Sequence, residues 1–185
     1  MISTSDMKRG ATIELDGRVW QVLEFEHIKM GRGSAQMRMK MRDVRRGDIV
    51  EKTFQAGEKW PRVRVERVPM QFSYADGEIM YFMNQETYDQ VPLNAAIIGD
   101  ARNYLPENGN ADVLFIGDEA IGIDLPASVV MAITKCEPGV KGDTATGATK
   151  PATMETGLIV NVPLFINEGE KIKVNTETGA YIERA

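Results

Sequence analysis

The stretch Lys29-Met30-Gly31-Arg32-Gly33-Ser34 sets one arginine between two glycines, and the chemistry open to it is electrostatic rather than covalent. Glycine turns through positive φ without steric cost, and it leaves Arg32 no bulky neighbour. Beyond it, Gln36 to Arg42 (QMRMKMR) alternates strictly. In a strand Met37, Met39 and Met41 point to one face and Arg38, Lys40 and Arg42 to the other. The run before the tip, Arg18 to Ile28 (RVWQVLEFEHI), is rich in β-formers. The segment therefore reads as a two-stranded arm with a cation at its tip and a cationic outer face, suited to reaching into a polyanion. The methionine stripe reads as barrel core and hairpin packing.

Strand signals surround this arm. Thr12 to Leu15 leads into the hairpin dipeptide Asp16-Gly17, and Arg46-Gly47-Asp48 turns the chain into Ile49 to Phe54. Val63 and Val65 then alternate with Arg62, Arg64 and Glu66. This is the pattern of a small barrel in residues 1–67. Pro69 opens a second set in residues 68–128. It has a hairpin around Ala75-Asp76-Gly77-Glu78, a brief helical turn capped by Asn84, and a short helix broken near Gly99 and ended by Pro106. Two apolar strands, Ala111 to Ile116 and Ala120 to Leu125, complete it. Residues 129–185 hold a strand from Val129 to Cys136, a polar loop from Pro138 to Pro151, a long strand from Leu158 to Ile166, and a final pair around Thr178-Gly179. The expectation is an all-β protein of three β-modules, each close to the lower size at which a domain folds unaided.

Charge is unevenly spread. Residues 1–67 carry 15 basic and 10 acidic side chains, residues 68–128 one basic (Arg102) and 10 acidic, and residues 129–185 six basic and seven acidic, for a net charge of −5. A protein that coats nucleic acid is basic throughout. Here one end can approach phosphate, while the middle is repelled unless a basic protein stands between. One histidine, His27, and one cysteine, Cys136, make no His/Cys zinc set. His27 reads as an exposed strand-end residue and Cys136 as a small core residue in a reducing cytosol. Gly142 to Lys150 departs from a phosphate loop, because Lys150 falls three residues late and a proline follows. No acid/base couple stands out. No apolar run reaches the ~20 residues of a membrane span, and the N-terminus lacks a signal-peptide core. A non-catalytic, cytoplasmic monomer with no metal, cofactor or membrane partner is expected.

Lys150-Pro-Ala-Thr-Met-Glu-Thr-Gly-Leu-Ile-Val-Asn-Val-Pro-Leu-Phe-Ile-Asn-Glu-Gly169 closely resembles the C-terminal signature of bacterial elongation factor P. Gly142-Asp143-Thr144, Tyr81-Phe82-Met83 with Glu86-Thr87-Tyr88, Glu51-Lys52-Thr53-Phe54 and Gly31-Arg32-Gly33 match in order, so the likeness covers essentially the whole chain. It implies an N-terminal SH3-like (KOW-like) barrel and two OB-fold barrels in an L-shaped, tRNA-like arrangement. It also implies a factor that binds the 70S ribosome between the peptidyl-tRNA and exit sites and relieves stalling at consecutive prolines.

By the same resemblance, Arg32 points along the CCA end of peptidyl-tRNA. Lys29, Gly31, Gly33, Arg38, Lys40 and Arg42 contact tRNA backbone, with ribosomal RNA nearby. Gly142, Asp143 and Lys150 belong to the loop that approaches the exit-site codon. Tyr181 and Arg184 match tail positions near the tRNA stem, and the acidic module faces a basic protein of the ribosomal stalk. From the residues alone, the basic face also fits a solvated strand face, and Tyr181 also fits packing in the last barrel. Many relatives have proline where this chain has Met30 and lysine where it has Arg32. Lysine tips are extended by a β-lysine-type modification that a guanidinium cannot accept. Some arginine tips are rhamnosylated by a dedicated enzyme and others work bare, so rhamnose on Arg32 is one expectation. A paralogous factor-P-like protein and a free RNA-binding OB-fold protein are the competing readings.

Overall fold

β-branched and aromatic residues alternate with polar ones over most of the chain, and strands follow from that spacing. A computed structural model describes residues 1–29, 31, 33–139 and 147–185. Among them a single four-residue α-helix interrupts sixteen strands.

The first module contains β1 (Ile2–Ser3), β2 (Thr12–Leu15), β3 (Arg18–Ile28), β4 (Gln36–Asp43), β5 (Ile49–Gln55) and β6 (Lys59–Trp60). Strands β2 to β5 form an antiparallel meander, and β1 pairs with β6. The β2–β3 hairpin turns as expected, with Asp16 and Gly17 both left-handed at φ 55° and 72°. That is the combination a two-residue primed turn requires. The next turn is held by Asp43, whose buried carboxylate accepts the amides of Arg45 (2.9 Å) and Arg46 (3.0 Å). Met37, Met39 and Met41 are fully buried with Ile13, Val22, Trp20 and Trp60, as the alternation required. The anticipated strand at Val63 and Val65 does not form, and only Arg62 makes an isolated bridge, to Ile13. Both valines pack instead on a small cluster of Val19, Val44, Leu114 and Ile121.

The middle module contains β7 (Glu66–Asp76), β8 (Ile79–Met83), β9 (Gln90–Asn94), α1 (Ala95–Ile98), a 3-10 segment (Gly99–Tyr104), β10 (Asn110–Ile116) and β11 (Glu119–Asp124). Its sheet order is β11-β10-β7-β8-β9. Pro69 lies inside β7, and Asn84 caps the short turn to Tyr88 as expected, its side chain accepting the Glu86 and Thr87 amides and its carbonyl that of Tyr88. The third module has β12 (Ser128–Cys136), β13 (Thr149–Met154), β14 (Ile159–Pro163), β15 (Lys171–Asn175) and β16 (Tyr181–Arg184), ordered β14-β13-β12-β15-β16. Its third strand stops at Pro163, short of the expected Ile166. The Ile166 amide turns back to the Pro163 carbonyl (3.1 Å), which buries Ile166 and leaves Phe165 exposed.

Counted within each module, both sheets read third-second-first-fourth-fifth strand once the middle module's order is taken from its other edge, or its mirror, with the first strand always central. A central first strand flanked by two hairpin-like pairs is the wiring of the five-stranded Greek key of an OB-type barrel. The all-β expectation holds. By packing, the chain divides into two units, Met1–Arg67 with Leu114–Gly122, and Val68–Val113 with Ile123–Ala185. Within the second unit, Tyr104 packs on the core of the third module (Met131, Ile133, Met154, Val160, Ile172 and others). The Asn103 carbonyl there accepts the Thr156 hydroxyl at 2.6 Å.

Candidate functional site

Strand β3 carries the arm outward and β4 returns it. The register runs from Ile28 opposite Gln36 to Trp20 opposite Asp43, with a bulge between Val22 and Glu24. Lys29 and Gly31 are exposed at the end of this arm. Met30 and Arg32 lie outside the described residues, so the tip cation itself has no described geometry. A Cβ built on Gly31 meets nothing within 4 Å. Nothing in the packing of the described residues therefore requires glycine at that point.

The arm's outer face also departs from expectation. Arg38 lies between Glu26 of β3 and Thr53 of β5, Lys40 between Glu24 and Glu51, and Arg42 between Gln21 and Ile49. Arg38 Nε sits 3.5 Å from Glu51 Oε1. The face is thus a ladder of both signs, with Glu24, Glu26 and Glu51 beside Arg38 and Lys40. Among the described residues, Arg42 has no ion-pair partner. Reading β4 alone misses the acids, although Glu24 and Glu26 alternate on β3 and pairing back from the tip places them opposite the cations. At the base of the arm His27 is exposed, as expected, and meets Phe25 edge-on at 5.9 Å.

Elsewhere in the first unit, Arg45 grips Glu119 with Nε (3.0 and 3.1 Å to the two carboxylate oxygens) and Nη2 (2.9 Å). Those hydrogen bonds, and then the charge of Glu119, hold the Arg45 guanidinium above its ordinary pKa. No local pattern signals this pair, because its members are 74 residues apart.

In the third module the expected residues separate. Gly142 and Asp143 lie outside the described residues. Lys150 is buried, and its Nζ donates to the Glu137 carbonyl at 2.8 Å, so it ties strand ends together and is not a surface contact. Its position opposite Val162, on the core side of β13 with Ala152 and Met154, dictates this. Tyr181 is half-buried against the module's core. Arg184 is exposed and forms a bidentate pair with Glu170. That pair, followed by the Asn167 amide, lowers the Glu170 carboxyl below its ordinary pKa.

No cluster of three metal-binding side chains occurs among the described residues. A cavity of about 360 Å³ in the second unit is lined by Pro69, Met70, Gln85, Asp112, Asp124 and Leu125 among others, with no hydroxyl, thiol, amine or imidazole side chain.

Three family models cover the chain in order: the elongation factor P KOW-like domain at residues 3–60, its OB domain at 65–123 and its C-terminal domain at 129–184. The chain belongs to the elongation factor P family. Relatives named Elongation factor P include that of Pelotomaculum thermopropionicum, 53% identical over 100% of both chains, and that of Rippkaea orientalis, 52% identical over 100% of both. A solved structure titled eukaryotic translation initiation factor 5A from Methanococcus jannaschii aligns over 67% of this chain and 91% of its own, at 22% identity and TM-score 0.48. The family assignment rests on the models and the full-length relatives. The KOW-like model falls on the module that carries the arm, and the OB model covers most of the middle module. The family is one of translation factors, not of enzymes.

Proposed function

We propose that this chain is a cytoplasmic, monomeric translation elongation factor that binds the 70S ribosome between the peptidyl-tRNA and exit sites. There it promotes peptide-bond formation, above all between consecutive prolines. The observation that carries the reading is the match along the full length to relatives named Elongation factor P. We divide the labour as 1–67 for the peptidyl-tRNA, 68–128 for a basic ribosomal stalk protein and 129–185 for the tRNA stem and exit-site codon.

The physical account is orientation. Proline is a hindered nucleophile, and a proline-rich nascent chain holds the peptidyl ester in poor geometry. Fixing the CCA end in a near-attack pose lowers the entropic part of the barrier without any group on the factor entering the reaction. Arg32 supplies fixed positive charge beside phosphates and 2′-hydroxyls, either bare or carrying a rhamnose from a tip-modifying enzyme. The open space around Gly31 supports close approach by an external group, since the described fold makes no demand for glycine there. Lys29, Gly33, Arg38, Lys40 and Arg42 contact the tRNA backbone, with ribosomal RNA around them. Gly142 and Asp143 approach the exit-site codon, and Tyr181 and Arg184 serve the stem. Lys150 supports that loop's base from inside the barrel.

The mixed-sign arm face weighs against a free RNA-binding protein, because Arg38 and Lys40 already lie beside glutamates. The test is Arg32→Ala in a purified translation system programmed with a polyproline message. Loss of rescue with the fold intact is expected, and undiminished rescue refutes the tip assignment. Intact mass of the native protein against the 20.6 kDa chain reports the modification.

A further inference from the structure

The arm is held differently along its length. Past the bulge between Val22 and Glu24, residues Glu24 to His27 are exposed, so the outer part of β3 is open to solvent. Its base is enclosed on both faces. Trp20 and Val22 join the barrel core on one side. On the other, Val19 of β3 and Val44, just beyond β4, are buried against Leu114 and Ile121. Those two belong to the end of the β10–β11 hairpin, Leu114–Gly122, which packs as part of the arm's own unit. The Val44 amide donates to the Val19 carbonyl at 3.1 Å, so the two arm strands meet the hairpin as one piece.

Arg45 is placed to set the angle of this joint. The buried Asp43 carboxylate fixes its backbone by accepting the Arg45 and Arg46 amides, and the Asp43 carbonyl accepts that of Gly47 at 2.9 Å. The guanidinium then grips Glu119, the first residue of β11, through both Nε and Nη2. An apolar seal is non-directional and permits rocking, whereas a bidentate fork fixes orientation. Both side chains are about half exposed, so the pair contributes little to stability and its value is geometric. Leverage makes that geometry matter. The eight-residue β4 is about 26 Å long, so a tilt of about 5° at its base carries its far end about 2 Å. Misplacement by about 1 Å costs a reaction on the order of a hundredfold in rate.

We propose that Arg45 and Glu119 are positioning residues, whose clamp fixes the angle between the arm and the β10–β11 hairpin and thereby the placement of the tip. The inference rests on the translation-factor reading for what the tip then does to peptidyl-tRNA. The joint itself stands apart from that reading.

Two measurements on the full chain keep them separate. In the first, spin labels on Lys29→Cys and Asp118→Cys, with Cys136→Ser, report the distance from arm end to hairpin by pulsed electron paramagnetic resonance. Glu119→Ala is expected to broaden the distribution by about 2 Å, the reach of the lever, and the exchanged pair Arg45→Glu with Glu119→Arg to narrow it again. An unchanged distribution overturns the proposal. In the second, proline–proline bond formation in a purified translation system is followed against factor concentration. Glu119→Ala is expected to lower the maximal rate about tenfold while the half-saturating concentration stays within about twofold. The urea midpoint should not move, and the exchanged pair should recover the rate. An undiminished rate overturns the proposal. So does a loss that comes with a fallen urea midpoint and no recovery in the exchanged pair, which marks the contact as merely structural. If the parent factor accelerates no proline transfer, the translation-factor reading falls, and the distance distribution still decides the joint.

Discussion

The ladder on the arm makes a quantitative prediction about naked RNA. Arg38 and Lys40 are each flanked by glutamate, so a phosphate that engages them must displace a carboxylate already present. The triple replacement Glu24→Gln, Glu26→Gln and Glu51→Gln removes those built-in counterions while keeping shape and strand register. The fold loses little, because an exposed pair such as Arg38–Glu51 contributes at most about 1 kcal/mol. Binding changes more. If Arg38 and Lys40 each then neutralise one phosphate, the plot of log affinity against log salt steepens by about 0.7 to 0.9 per contact, or ~1.4 to 1.8 in all. Between 50 and 200 mM salt that is an extra ~7- to 12-fold loss of affinity, seen from a tighter low-salt starting point. Fluorescence anisotropy with deacylated tRNA at stepped salt measures it directly. Adding Arg38→Ala and Lys40→Ala to the triple variant should return the slope to that of the parent. A triple variant whose slope and low-salt affinity match the parent's would refute the claim that these acids mask the cations.

Other outcomes follow from single residues. Gly31→Ala should leave stability within about 0.5 kcal/mol of the parent yet impair polyproline rescue. Gly139→Ala should unfold more easily, because its Cβ would lie 2.9 Å from the Leu164 carbonyl oxygen. Urea titration with a rescue assay compares the two. Lys150→Ala should cost about 2–4 kcal/mol by leaving a cavity and depriving the Glu137 carbonyl of its donor, as read by the urea midpoint. Glu170 has a lowered pKa, so its pairing with Arg184 stabilises the native state above the ordinary carboxylate value of 4.5 and fades as pH falls through the lower folded value. Hydrogen exchange in β15 and β16 should accelerate over that acid range, and Glu170→Gln should remove the dependence.

Much of the fold is legible in the sequence because periodicity two is a strong signal. The Met37/Met39/Met41 stripe, the Asp16-Gly17 hairpin and the break at Gly99 all follow from local chemistry. What escapes depends on partners distant along the chain. Val63 and Val65 alternate like a strand, but they find apolar neighbours in Leu114 and Ile121 instead of a ladder. Lys150 has the look of a loop-end cation, and only its register against Val162 shows that it faces inward. The arm's cations are visible from one strand, while their neutralisation requires the two strands on either side.

The shared wiring of the middle and third modules also bears on how the chain can be cut. The two Greek keys, each built around its own first strand, differ in the connection before their fourth strand. In the middle module that connection holds α1 and the 3-10 turn, whose Tyr104 packs on the third module's core while the Asn103 carbonyl accepts the Thr156 hydroxyl. That segment is a plug shared by both barrels, so their unfolding should be coupled, which a single urea transition for residues 68–185 followed by hydrogen exchange would show. A fragment ending near Pro126 would strand Tyr104 in water, and one beginning there would leave an apolar opening in the last barrel, making each half prone to aggregation where the pair is soluble.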